Sequence, residues 1–266
     1  MRACQILTLL FVAFLPTSVA AQAVVIKETL FYSPKLIQIE ITDAKTALTR
    51  IINETKCNDE GRAVYYSSPP KNVIVYDDRI EINFKNHTNS FSFSDLLNYN
   101  IEVVYAEYAP GMLARNYYLL TLGNFVFYSF LPGLDSFREL ADYLRFFQNL
   151  QIDSQLALFK PIAAQYRALK AKPPVSEELR KFIVQANMFN QNKSYDKAIE
   201  LYNKVIELDP TAYPAAYSNM ALLSAQVNKY NVAIYNMKKY LLLEPEAPDA
   251  RNGQDKIYEW EAQVIQ

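Results

Sequence analysis

Apolar positions follow three different rhythms along this chain, and each rhythm predicts a different kind of element. From Ser176 onward they recur three and four apart, the spacing of amphipathic helices. LRKFIVQANMFNQ, YDKAIELYNKVIEL, AAYSNMALLSAQ and YNVAIYNMKKYLLL all read this way, and a last helix follows Asp249. Between Gly61 and Phe130 the pattern changes to short runs of Val, Ile, Tyr and Phe, the composition of strands. Near the start, Ile6 to Leu15 is an apolar run interrupted only by Thr8.

The β-rich stretch predicts seven short strands. They are RAVYYS from Arg62, NVIVY, RIEINF, SFSFS from Ser90, IEVVYAEY from Ile101, YYLLTL and FVFYSF. Gly123-Asn124 and Asp77-Asp78 sit between paired runs as two-residue hairpin links. LDSFRELADYLRFFQNL then predicts a helix with Phe137, Leu140, Leu144 and Phe147 on one face, and with Ser136 and Glu139 spaced as a capping box. Further on, DSQLALFKPIAAQYRALKAK is helical again, Pro161 either kinking it or opening a new helix, and Pro173-Pro174 ends it. Ahead of the strands, Asp43 is placed to cap a short helix carrying Leu48, Ile51 and Ile52.

The helical tail repeats itself. SYDKAIELYNKVIELDP is answered by KYNVAIYNMKKYLLLEP, with Ala198 and Ala233 35 residues apart and Pro210 and Pro245 at the same interval. A fixed period of this size, built from two helices and a proline stop, is that of a helical-hairpin array. Phe182, Ala186, Phe189, Ala198, Tyr202, Val205 and Pro210 in the first copy, and Tyr217, Met220, Ala221, Ala233, Met237, Tyr240 and Pro245 in the second, resemble the tetratricopeptide repeat. Gln185 and Ser224 depart from that pattern, where it has Leu and Tyr. Ala186, Ala198, Ala221 and Ala233 are small enough to let neighbouring helices approach closely.

Two repeats leave apolar ends, since each hairpin buries its faces only against a neighbour. Tyr258 and Trp260 are expected to cover the far end, and Leu156, Phe159 and Tyr166 the near one. Element order in the middle region is similar to a pleckstrin-homology-like barrel of seven antiparallel strands closed by a C-terminal helix. The expected fold is thus an α+β domain followed by an all-α array. Its segments are a signal peptide over 1–23, an extension with a short helix over 24–60, the β-rich domain over 61–152, a helical spacer over 153–175, and two repeats with a capping helix over 176–266.

Charge narrows the partners. The 27 basic residues are answered by 28 acidic ones, so the Lys/Arg field that nucleic acid requires is missing. Arg2, the apolar run and small residues near Ala20 or Ala23 have the order of a secretory signal, and the run is too short to span a bilayer. Export, most simply to a bacterial periplasm, is the expected localisation. Cleavage would leave Cys57 as a lone thiol, and His87 is the one histidine, which gives neither a disulfide nor a zinc set. Five scattered glycines form no phosphate cradle, and no cofactor is expected.

The repeat resemblance implies a non-enzymatic scaffold that binds a protein or peptide in a concave groove. Groove positions on the family's geometry are Ile183, Asn187 and Asn190 in the first copy, with Ser218, Asn219, Leu222 and Gln226 in the second. Asn187 and Asn219 match the asparagines with which some members grip a terminal carboxylate. Ile183, however, stands where a lysine is expected, and the last helix offers only Arg251 and Lys256. Two other readings accompany this one. A lipid- or envelope-associated module could use the barrel, although its SSPPKN loop holds Lys71 alone, and a hydrolase could use carboxylate pairs such as Asp77/Asp78.

Overall fold

The computed structural model describes residues 25–35, 37–57, 70–99, 101–108, 117–122, 125–129 and 134–265. The expected signal segment, the strand from Arg62 and the Gly123-Asn124 link lie outside these residues. The first strand, β1 (Val25–Tyr32), precedes α1 (Ile41–Glu54) and the two-residue β2 (Lys56–Cys57). Strands β3 (Asn72–Val75), β4 (Arg79–Asn83) and β5 (Thr88–Ser92) follow, and a 3-10 helix (Phe93–Asn98) then leads to β6 (Val103–Tyr108), β7 (Tyr117–Leu122) and β8 (Phe125–Ser129).

These strands do not close into a barrel. They form two antiparallel sheets, one of five strands in the order β1-β6-β7-β8-β2 and one of three in the order β3-β4-β5. A barrel needs its first and last strands to pair, and no ladder joins the two sheets among the described residues. The break has a local cause just after β5. Ser92 accepts the Ser94 N–H on its hydroxyl at 3.2 Å and caps the 3-10 helix, so the chain leaves the small sheet there. Resuming at β6, it pairs with β1, a strand contributed by the extension that sequence periodicity left unassigned. Asp77 and Asp78 do link β3 to β4, with Val75 opposite Ile80 and the Tyr76 N–H donating to the Arg79 carbonyl at 2.8 Å.

Leu48, Ile51 and Ile52 of α1 are fully buried against the sheets, as their spacing predicts. Asp43 is not the cap. Glu40 occupies that position without a side-chain bond, and Asp43 sits in the first turn, where a carboxylate suits the helix dipole. Ser136 likewise falls inside a helix, because α2 already begins at Leu134.

Helix α2 (Leu134–Ala168) runs unbroken for 35 residues, through Pro161. Its first half belongs to the core of the sheets, where Phe147 stacks on Phe93 of the 3-10 helix with centroids 4.3 Å apart. Its second half belongs to another core, in which Phe159, Ala163 and Tyr166 pack among the repeat helices. Burial at both ends of one rod holds the helix together where the proline removes a bond. The same rod places the sheets beside the repeats.

The tail consists of α3 (Glu177–Gln191), α4 (Tyr195–Leu208), α5 (Ala215–Gln226), α6 (Tyr230–Leu243) and α7 (Ala250–Ile265). Ala186, Ala198, Ala221 and Ala233 are all fully buried, the close approach for which small residues are suited. Even the turns repeat: Lys193 and Asn228, 35 positions apart, both adopt left-handed φ, at 58° and 60°. After each, the next N–H reaches back across the turn, Ser194 to the Phe189 carbonyl and Lys229 to that of Ser224. The ends are covered differently from the sequence expectation. Phe159 and Tyr166 seat against the second hairpin and not the first, and at the far end Ile257 and Trp260 are buried while Tyr258 is exposed. Gly253 marks the tight contact there, since a Cβ on it would meet Met237 Sδ at 3.1 Å.

Candidate interaction groove

Helix α3 starts where its sequence directs. Ser176 caps it by accepting the Leu179 N–H at 3.3 Å, and Glu177 and Glu178 fill the first turn. The buried stripe of Leu179, Ile183 and Ala186 turns toward α4 and α5, leaving Asn187 and Asn190 exposed one position on. Helix α5 carries no charged residue at all. Its Asn219 and Ser218 are half-buried, and Leu222 and Gln226 are exposed.

Among the residues expected to line the groove, the structure couples Asn187 and Asn219 most closely. Tyr202 of α4, fully buried overall, donates its hydroxyl to Asn187 Oδ1 at 2.5 Å and accepts from Asn219 Nδ2 at 3.1 Å. Burial, then the neighbouring Tyr213, push the Tyr202 phenol up to about 12, with Asn219 opposing; it is therefore a neutral hydroxyl at ordinary pH. This bridge fixes both amides. Asn187 keeps both N–H donors of its amide, and Asn219 keeps one N–H and its carbonyl oxygen.

The remaining expected positions play lesser parts. Ser218 donates its hydroxyl to the Ala215 carbonyl at 3.1 Å, and Ile183 belongs to the core. Arg251 pairs with Asp255 at 3.3 Å and Lys256 with Glu259 at 2.7 Å, both within α7. With Ile183 apolar and these two cations engaged, none of the positions expected to supply a carboxylate grip offers a free positive charge.

Sequence reasoning missed the bridge itself, because Tyr202 occupies an aromatic core position of the repeat and its spacing reports only packing. It also missed Lys239. This α6 lysine rests over the rings of Tyr235, Phe159 and Tyr217, with its ammonium 4.5, 5.0 and 5.6 Å from their centroids. Burial lowers its pKa to about 8.

The other candidate chemistries have structural partners. Asp77 pairs with Lys45 and Asp78 with Arg79, and His87 stacks on Phe84 in the β4–β5 turn. Among the described residues, no group of three or more His, Cys, Asp or Glu side chains could hold a metal ion. Lys71 is exposed at the start of β3, without the barrel on which a headgroup site was expected.

No solved structure matches this chain. A family model does match within the helical tail: residues 186–228, from the middle of α3 into the turn after α5, fit the TPR repeat, and the helical array around them agrees with that assignment.

Proposed function

We propose that this chain is a binding scaffold whose α3 and α5 hold an extended polypeptide by its main chain. TPR repeats in general mediate binding to protein partners. The single observation that carries the finer reading is the Asn187–Tyr202–Asn219 bridge. Two donors on Asn187, together with one donor and one acceptor on Asn219, complement the C=O and N–H groups of an extended peptide. Ile183 stands where a lysine would be, and Arg251 and Lys256 are ion-paired, so the favoured ligand is an uncharged internal stretch and not a terminal carboxylate. The reading includes export to a periplasm, which the sequence of residues 1–23 supports.

An array of tiled peptides, each synthesised with free-acid and amidated ends, tests the groove directly. The full-length chain is expected to bind a subset equally well in both forms. Tyr202→Phe keeps the ring and removes the bridge, and the double variant Asn187→Ala with Asn219→Ala removes the donors; each should weaken binding about ten-fold or more. Binding that is unaffected by these changes, or that requires the free carboxylate, rejects the proposal.

A further inference from the structure

The two proline-stopped turns of the tail occupy equivalent places in the repeat but close in different ways. In the first, Asp209 Oδ1 accepts the Thr211 and Ala212 N–H groups at 2.8 and 3.0 Å and the Thr211 hydroxyl at 3.0 Å, so this carboxylate oxygen is occupied by its own turn. In the second, Glu244 and Glu246 stand in the places of Asp209 and Thr211. There the Ala247 N–H is met by the Glu244 main-chain carbonyl at 3.3 Å, and neither glutamate side chain closes the turn. Glu244 Oε1 accepts from Tyr166 instead, and its Oε2 accepts no hydrogen bond among the described residues. Glu246 is exposed and has no hydrogen-bond or ion-pair partner among them.

Stacking of the repeats sets these turns side by side, and an open cleft of about 470 Å³ lies between them. Tyr213 and Pro214 line it from the first turn, Tyr240 from α6, and Glu244, Glu246 and Pro248 from the second turn. Both charged residues that line it are acidic, and a third carboxylate lies just beyond, where Asp249 accepts the Tyr240 hydroxyl at 2.5 Å. Burial, then the hydrogen bond to Asp249 and the charges of Asp249 and Glu244, push the Tyr240 phenol up, so this ring stays neutral. Arg167 donates to the Leu242 carbonyl and Lys172 to the Tyr166 carbonyl at 2.8 Å, and neither lines the cleft. Among the described residues these carboxylates form no group that could hold a metal ion, which makes an organic cation the complementary ligand.

We propose that this cleft binds an arginine side chain of a protein partner. A guanidinium is planar, stacks on aromatic rings, and carries a fork of N–H donors that fits carboxylate oxygens, whereas an ammonium is a compact and more strongly hydrated point charge. The cleft has the volume of a site for a small group of this kind. None of its lining residues belongs to the Asn187–Tyr202–Asn219 bridge, so the site stands or falls apart from the main-chain groove.

Methyl NMR on the full-length chain labelled at alanine tests the site, because Ala215 and Ala247 line the cleft from its two sides. The probes are the end-capped tripeptides Gly-Arg-Gly, Gly-Lys-Gly and Gly-Gln-Gly, titrated at matched ionic strength. The arginine peptide should shift both methyls saturably, with a dissociation constant on the order of 1 mM. The lysine peptide should bind about three-fold or more weakly, and the glutamine peptide should leave both methyls unmoved. Glu246→Gln, on an exposed side chain outside the cores, should weaken the arginine peptide about three-fold, and Glu246→Lys should abolish its binding. The buried Ala186 and Ala198 methyls should keep their positions in both variants, which verifies the fold. Equal shifts with arginine and glutamine, lysine binding as tight as arginine, no saturable shift at all, or undiminished affinity in Glu246→Lys overturns the site.

Discussion

Tyr166 and Glu244 stand 78 residues apart in the chain, yet the Tyr166 hydroxyl donates to Glu244 Oε1 at 2.5 Å. One lies near the end of α2 and the other just beyond α6. Beside them, Arg167 donates to the Leu242 carbonyl. The pair fastens the long helix to the second repeat. Tyr166→Phe should lower stability by about 1–2 kcal/mol, because it leaves the ring packed and removes a hydrogen bond to a charged acceptor. Glu244→Gln keeps an acceptor and should cost less. Urea unfolding of both variants checks the order, and a Tyr166→Phe chain as stable as the parent refutes it.

Pro161 is exposed and sits inside α2, where it withholds an N–H from the Ala157 carbonyl. Packing on either side keeps the helix continuous, so the proline opposes the fold at this point. Pro161→Ala is expected to stabilise the chain by about 1–3 kcal/mol, less whatever the proline gains by stiffening the unfolded state. A shift of the urea midpoint to lower concentration would contradict this account.

Ser224 occupies a repeat position where an aromatic is usual, and its buried hydroxyl has no hydrogen-bond partner among the described residues. An unsatisfied buried hydroxyl is unfavourable, and alanine removes it with almost no change of volume. Ser224→Ala should therefore raise stability by about 1 kcal/mol. Calorimetry on the purified variant measures this directly, with a lower melting temperature as the opposing result.

Alkaline pH should act on the repeats in two directions. Lys239 has its pKa lowered by burial to about 8 from 10.5, so between those values the unfolded chain binds more protons and stability rises with pH. Tyr202 and Tyr235 are pushed up to about 12, chiefly by burial. Tyr32 reaches about 12 by burial with Asp142, and burial raises Tyr166, Tyr217 and Tyr240 further still. Above pH 10 the folded chain therefore holds protons that the unfolded chain releases, and stability falls. Urea midpoints from pH 7 to pH 12 should pass through a maximum near pH 10, and Lys239→Met should flatten the rising limb. A steady decline from pH 8 in the parent chain would disprove the Lys239 part.

Much of the tail was legible before any coordinates. The 35-residue period and the four buried alanines each report a contact between residues close in sequence, and local contacts leave periodic traces. The sheets were less legible. Six of the seven β-favouring runs fall on described strands, β3 to β8, but nothing in a run states its partner. Pairing of β1 with β6 joins Leu30 to Val104, a choice made by distant chain segments and by the 3-10 helix that interrupts the series. Ser136 and Asp43 have good capping composition and fail for a related reason: packing of the apolar face sets where a helix begins, and a cap follows only if the chain happens to arrive there.

By itself the sequence determined that the tail is a repeating stack of helical hairpins, because a period is a property of the chain read along its length. Tertiary structure alone decided that Asn187 and Asn219 share one tyrosine hydroxyl, that α2 serves two cores, and that Tyr213 and Glu246 line one cleft. Each of these depends on where separate helices meet in space. Side-chain hydrogen bonds across such meetings leave no periodic pattern for a sequence to display.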